Sequence, residues 1–308
     1  MASTPRTFRF GVQTRGNAEL KQQAQRAEAL GYDILLMPDH FGRQLAVGPA
    51  LAVVAEATST LRIGTLVLQN DLRHPALLAM EAATLDVLSG GRFELGIGAG
   101  GSYPPDFDWT GIPFDPPGLR VSRLEESVQV LKGLTGPDPF TFIGKHYTIT
   151  DFQGMPKPLQ TRLPMLIAGG GGRMLRLAAL EADIVGLVPR MLPAGEFVEA
   201  EFGVDAFAAK ASSVRDMAGV RAGDIEFNIL IQMVKVTDDR PAEITRLKSE
   251  HDIDNDDWFD SPMVYVGSVE EICDRMREMR ERIGISYFVV FETAMEELAP
   301  IVRILAGT

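Results

Sequence analysis

Short apolar runs alternate with longer amphipathic stretches along most of the chain. "FRFGVQ" (8–13) predicts a strand, and "NAELKQQAQRAEALG" (17–31) sets Leu20, Ala24, Ala27 and Leu30 on one helical face, ended by Gly31. "YDILLM" (32–37) predicts the second strand, and "GPALAVVAEATS" (48–59) a helix. "LRIGTLVLQ" (61–69) predicts a third strand, and "HPALLAMEAATLDVLSGG" (74–91) a helix with Pro75 in its first turn and glycines at its end. "RFELGIGA" (92–99) follows as strand four, and an amphipathic helix covers 118–136. The rest repeats the rhythm: strands at 164–168, 183–188, 225–236 and 286–291, helices at 172–182, near 196–218, at 268–284 and at 296–305.

Several of these strands are unbroken apolar runs rather than alternations, as expected of parallel strands covered on both faces. Eight strands alternating with helices predict an α/β fold: a (β/α)8 TIM barrel with insertions after strand four and strand six, one domain over residues 1–308. A doubly wound sheet is the alternative. Residues 100–117 and 137–163 exceed a minimal barrel, and "FTFIGKHYTI" in the second predicts a hairpin. Both are expected on the C-terminal face, where barrel sites are built.

Composition narrows the partners. The 308 residues are 45% hydrophobic, with 30 basic side chains against 42 acidic ones, a formal charge of −12. That balance argues against nucleic acid or anionic membrane, and a small anionic ligand would need local donors. The one cysteine, Cys273, is spaced from Val269, Ile272 and Met276 as on the buried face of a helix. No apolar run reaches membrane-spanning length and no secretory pattern opens the chain, so a soluble, cytoplasmic protein acting on a small molecule is expected.

Gly96, Gly98 and Gly101 have GxGxxG spacing, but the consecutive prolines of "SYPPDFDW" read as no helix opening, so a dinucleotide site is excluded there. Gly169, Gly170, Gly171 and Gly172 lie between a strand and a helix; they either bring an anion to the helix N-terminus or only permit a tight turn. Asp39 and His40 follow strand two as either an acid–base pair or a cap and a packed ring. His74 reads as a polar residue at a helix start, and His146 and His251 as solvated. The scattered histidines draw no metal site, and no nucleophile elbow is present.

Taken together, "AEALGYDILLMPDHF", "STLRIGTLVLQNDLRHPALLAMEAATLDVLSGGRFELGIGAG", "IPFDPPGLRVSRLEESVQVLKGL" and "PMLIAGGGG" resemble the luciferase-like flavin and deazaflavin oxidoreductases, in particular the branch using the deazaflavin coenzyme F420. The resemblance implies a barrel holding the coenzyme ring at the strands' C-terminal ends and hydride transfer between its C5 and a small organic substrate. It places Asp39 and His40 beside the ring as cofactor-binding and catalytic candidates. It implies a cis peptide at Leu66–Val67, a strand-four end at Ala99, Gly100 and Gly101 lining the coenzyme, and a phosphate loop at Ala168, Gly169, Gly170, Gly171 and Gly172. A homodimer is implied as well. Gly100 and Gly101 stand where the family's sugar-phosphate dehydrogenases carry Gly-Glu, which argues against a sugar-phosphate substrate. Tyr103 and Trp109 either wall a substrate site or pack under the insertion. Two alternatives stand beside this reading: an FMN monooxygenase using O2 and a partner reductase, and a barrel that binds the coenzyme without catalysis.

Overall fold

In the computed structural model, which describes residues 5–42, 44–100, 105–192 and 195–308, eight parallel strands close into a ring. They are β1 (Arg9–Gln13), β2 (Ile34–Met37), β3 (Arg62–Thr65), β4 (Phe93–Gly98), β5 (Met165–Ala168), β6 (Ile184–Gly186), β7 (Glu226–Leu230) and β8 (Ile285–Phe291). Each pairs with its neighbours in sequence, and β8 returns to β1 with Arg9 opposite Tyr287 and Gln13 opposite Phe291. The predicted (β/α)8 TIM barrel is therefore the fold, and the closing pair rules out a doubly wound sheet.

Ten helices occur among the described residues: α1 (Leu20–Ala29), α2 (Val47–Ala57), α3 (Pro75–Leu88), α4 (Pro105–Thr110), α5 (Pro117–Thr135), α6 (Gly172–Glu181), α7 (Val204–Ala218), α8 (Arg240–His251), α9 (Val269–Arg282) and α10 (Met295–Leu305). Local chemistry sets their ends. His74 Nδ1 accepts the Ala76 N–H (3.2 Å) ahead of Pro75, capping α3. Ser268 and Glu271 form a reciprocal capping box at α9, whose buried face carries Ile272, Cys273 and Met276.

The N-terminal end of the barrel is plugged by charge. Arg9 pairs with Glu226 (2.7 Å) and Glu94 (2.5 Å), Arg62 adds a second bond to Glu94 (2.5 Å), and the Arg9 guanidinium lies 4.5 Å from the Tyr287 ring centre. Burial raises the Glu226 pKa against the attraction of Arg9. With that end filled, the strands' C-terminal ends are left to form a mouth.

Five readings of the sequence change. Strand three breaks after Thr65 and resumes only at Leu68–Gln69, which pairs with Ile97 and Gly98 of β4. The apolar run 225–236 is two strands: β7 ends at Leu230, and Met233–Val236 pairs in parallel with Val264–Gly267 across α8, an insertion after β7 beyond the two expected. The run stays apolar because this second sheet buries its own side chains, Val234, Val264 and Val266. The hairpin (Phe140–Ile143 with Thr148–Phe152) lies outside the barrel mouth, its turn held by Glu126 of α5 through the N–H groups of Lys145, His146 and Tyr147. His146 is accordingly a packed residue, its Nε2 bonded to Ser122 Oγ (3.0 Å). A helix also opens at Pro105, because proline fits the first helical position, where no N–H is needed.

Glu28 ties α1 to the turn before β3: its Oε1 accepts the N–H of Ser59 (2.8 Å), Thr60 (2.6 Å) and Leu61 (2.9 Å). Partial burial alone would raise its pKa, but these donors outweigh it and hold it down to about 2. A folded-state pKa below the ordinary carboxylate value means this stabilisation is present above about pH 4.5 and lost as pH falls towards about 2. Glu28→Gln is expected to lower the denaturation midpoint at pH 7, with the gap to the parent narrowing below about pH 4.5 and closing only near about pH 2, checked by urea unfolding at pH 7 and at about pH 2.

Candidate active site

The barrel mouth holds a cavity of about 950 Å³ lined at the C-terminal end of each strand or by the segment just after it, from Gln13 at the end of β1 to Phe291 at the end of β8. Its floor and its walls come from different parts of the chain.

On one wall is His40, three residues past the end of β2, a lining residue with about a quarter of its side chain exposed. Its Nδ1 lies 2.7 Å from Oδ2 of Asp106 on α4, a carboxylate with no solvent exposure. The second oxygen of Asp106 accepts the Phe41 N–H (2.8 Å), and Gln69 Nε2 donates to Oδ2 (2.9 Å). Asp39 does not share this position. Its buried carboxylate faces away from the cavity lining, held by Arg73 (2.6 and 3.2 Å) and by the N–H of Gln69 (3.0 Å). Neighbours in sequence, the two residues sit on opposite sides of the wall, and the acid that meets the imidazole is Asp106.

The floor is the break in strand three. The Leu66–Val67 peptide is cis, as the resemblance implied, and both side chains line the cavity. Gln13 Nε2 donates to the Leu66 carbonyl (2.6 Å), fixing the break from the β1 side. Beside it, Gly98, Ala99 and Gly100 complete the strand-four end. Gly101 and Tyr103 lie outside the described residues. Trp109 is exposed on α4 and is not a lining residue.

The glycine run lines the opposite wall from Ala168 to Gly172, and its four members do different jobs. A Cβ on Gly169 would stand 2.7 Å from Met174 Cβ, and one on Gly170 2.4 Å from the Pro189 carbonyl oxygen, so these two permit close packing. Gly171 and Gly172 have nothing within 4 Å of an added Cβ. They open α6, whose first internal bond runs from Leu175 N to Gly171 O (2.9 Å), so the N–H groups before it sit at an open helix N-terminus. That geometry suits an anion. Tight packing accounts for Gly169 and Gly170, and Gly171 and Gly172 leave the open helix start that the anion reading requires.

Above the floor the walls carry apolar side chains: Phe114, Val121, Met174, Leu187, Met191, Leu192 and Phe197. Charged and polar residues stand among them, Arg15, Asp115, Arg173, Asn228 and Gln232 as well as Arg120. Only 6% exposed, Arg120 donates to the carbonyls of Asp115 (2.9 Å), Ala99 (3.2 Å) and Gly100, and lies 4.5 Å over the Phe114 ring, while burial lowers its pKa. It clamps the strand-four end to the start of α5.

Sequence reasoning missed Asp106, Gln69, Gln13 and Arg120. Asp106 was hidden by the prolines that were read as excluding a helix; treating Pro105 as a first helical position would have exposed a carboxylate in the first turn. Nothing in the sequence points to Gln13 or Gln69, whose roles depend on a break in a neighbouring strand.

With the fold and the mouth described, the match to known proteins is specific. The family model for luciferase-like monooxygenases matches residues 4–251, well over half of the chain. The chain belongs to the luciferase-like monooxygenase family. Among curated relatives, an F420-dependent glucose-6-phosphate dehydrogenase from Amycolatopsis mediterranei is 30% identical over 184 residues, covering 57% of this chain and 55% of that protein. A 5,10-methylenetetrahydromethanopterin reductase from Archaeoglobus fulgidus is 31% identical over 198 residues, 64% of this chain and 57% of that one. The chain thus spans little more than half the length of these curated relatives. Among solved structures, the coenzyme F420-dependent tetrahydromethanopterin reductase of Methanopyrus kandleri superposes with a TM-score of 0.77 at 18% identity, over 97% of this chain and all of that one. This last likeness bears on the fold alone.

In this luciferase-like chain the two halves of the glycine run should respond differently to a methyl group. Gly170→Ala forces the backbone of Pro189 and Arg190 to move and is expected to cost on the order of 1–3 kcal/mol. Gly171→Ala, in extended backbone with open space around it, should stay within about 0.5 kcal/mol of the parent. Chemical denaturation of the two variants checks the contrast.

Proposed function

We propose that the protein is a coenzyme F420-dependent oxidoreductase. The observation that carries the reading is the meeting, in one cavity, of His40, the cis Leu66–Val67 break and the open N-terminus of α6. The residues present fit the coenzyme. Gly171 and Gly172 leave room where a phosphate would stand, the α6 N–H groups face it, and the floor of Leu66, Val67 and Gly98 to Gly100 offers a bulged apolar surface for a planar ring. Relatives named as F420-dependent enzymes support the same choice.

When bound, the deazaflavin supplies hydride chemistry at C5, and the protein supplies position, water exclusion and proton handling. Ala168 to Gly172 hold the phosphate end, and Gly98 to Gly100 border the ring. His40 manages a proton at the substrate, while Asp39, engaged by Arg73, fixes the chain segment that carries it. The apolar side chains of the upper wall suit a small organic substrate. The site of action is the cytoplasm, in keeping with a chain whose described residues contain no helix long and apolar enough to cross a membrane.

Fluorescence titration tests the coenzyme. F420 is expected to bind at least about tenfold more tightly than FMN. Tight FMN binding with none of F420 would instead favour a flavin monooxygenase. Binding of F420 with no turnover of any acceptor by the reduced complex would leave a binding barrel without catalysis.

The protein is also proposed to act as a homodimer through the outer face of α3. Leu77, Met80, Val87 and Leu88 stand exposed there at helical spacing, and Leu159, also exposed, lies beside Gly91 just past the helix end. Met80→Glu combined with Leu88→Glu should give a monomer by light scattering; a parent that is itself monomeric at micromolar concentration sinks the assembly.

A further inference from the structure

We propose that Asp106 is the positioning residue of the site: its carboxylate holds His40 with Nδ1 protonated, leaving Nε2 as the nitrogen that exchanges a proton with the substrate. The inference rests on the deazaflavin reading for its catalytic consequence but not for its geometry.

The hydrogen-bond directions point to one tautomer. Gln69 Nε2 lies 2.7 Å from the backbone carbonyl of Asp39 and 2.9 Å from Asp106 Oδ2. A carbonyl oxygen only accepts, so that atom of Gln69 is the amide nitrogen, and it donates to Asp106 as well. The Phe41 N–H can only donate, and does so to Oδ1 (2.8 Å). Both oxygens of Asp106 are therefore acceptors, the arrangement of an ionised carboxylate. The remaining contact, His40 Nδ1 at 2.7 Å from Oδ2, is filled by an N–H, and the neutral ring then carries its lone pair on Nε2.

The same three donors explain how a carboxylate is kept with no solvent exposure on so short a helix as α4. Phe107 packs against Phe114 (4.7 Å between ring centres) and holds α4 in place, so Asp106 is aimed by packing. With the coenzyme bound to supply the hydride chemistry, His40 Nε2 would accept the proton of a substrate hydroxyl during oxidation to a carbonyl, Asp106 would hold the resulting imidazolium, and in reduction His40 would return that proton.

The test uses the intact chain in two variants, Asp106→Leu, which removes the acceptor at similar volume, and Asp106→Asn, which removes the charge. ¹⁵N-histidine spectra at neutral pH without coenzyme, with the His40 signals assigned through His40→Asn, read the tautomer directly. His40 is expected to be Nδ1-protonated in the parent and to move towards the Nε2-protonated form in Asp106→Leu, with Asp106→Asn between them. With coenzyme, kcat should fall about 100-fold in the leucine variant while the coenzyme Kd stays within about twofold. If the leucine variant does not fold, the asparagine variant is judged by the same signals. An Nε2-protonated parent, a tautomer unmoved by both variants, or an unchanged kcat overturns the proposal. Failure of the parent to bind the deazaflavin strikes the reading under Proposed function and leaves the tautomer measurement standing.

Discussion

The mouth of this barrel depends on the contact between Thr65 and Gly96. Thr65 Oγ1 donates to the Gly96 carbonyl (2.7 Å) and accepts the Gly96 N–H (2.8 Å), so one side chain takes the place of two ladder hydrogen bonds. The approach is possible only without a side chain: a Cβ on Gly96 would stand 1.9 Å from the Thr65 carbonyl oxygen. Ordinary pairing of β3 with β4 covers Ile63 and Gly64, and it resumes at Leu68 with Ile97. Leu66 and Val67 lie between, out of the ladder and at the cavity floor. Gln69, immediately beyond, then joins Asp39 to Asp106.

Much of the frame was legible because it is repetitive. Eight apolar runs at regular intervals, alternating with amphipathic helical stretches, leave few topologies open, and parallel strands buried on both faces declare themselves by continuous hydrophobicity. The stretch 225–236 shows the limit of that signal. Apolarity reports burial and not which sheet does the burying, so the chain's departure from the barrel at Leu230 left no trace.

The placement of a candidate residue was legible where its own backbone sets it, as with Gly171 and Gly172 at the start of α6. It was not legible where a role depends on two distant segments meeting. Asp39 and His40 look like a pair in one dimension, but successive residues leaving a strand point in different directions. One turns to Arg73 and the other to the cavity. The partner of His40 comes from 66 positions further along, on a helix that a habitual reading of proline dismisses.

Because Asp106 rides on the segment between β4 and α5, the group that meets the imidazole belongs to the most replaceable part of the chain. A barrel strand is constrained by neighbours on both edges, whereas a connecting loop is free to lengthen, shorten or be exchanged. In this protein such an exchange would carry away Asp106 together with Phe114 of the cavity wall. Grafting this loop onto another barrel of the family, or a foreign loop onto this one, therefore exchanges the shape of the cavity and the environment of His40 in a single step. The two properties are inherited as one unit.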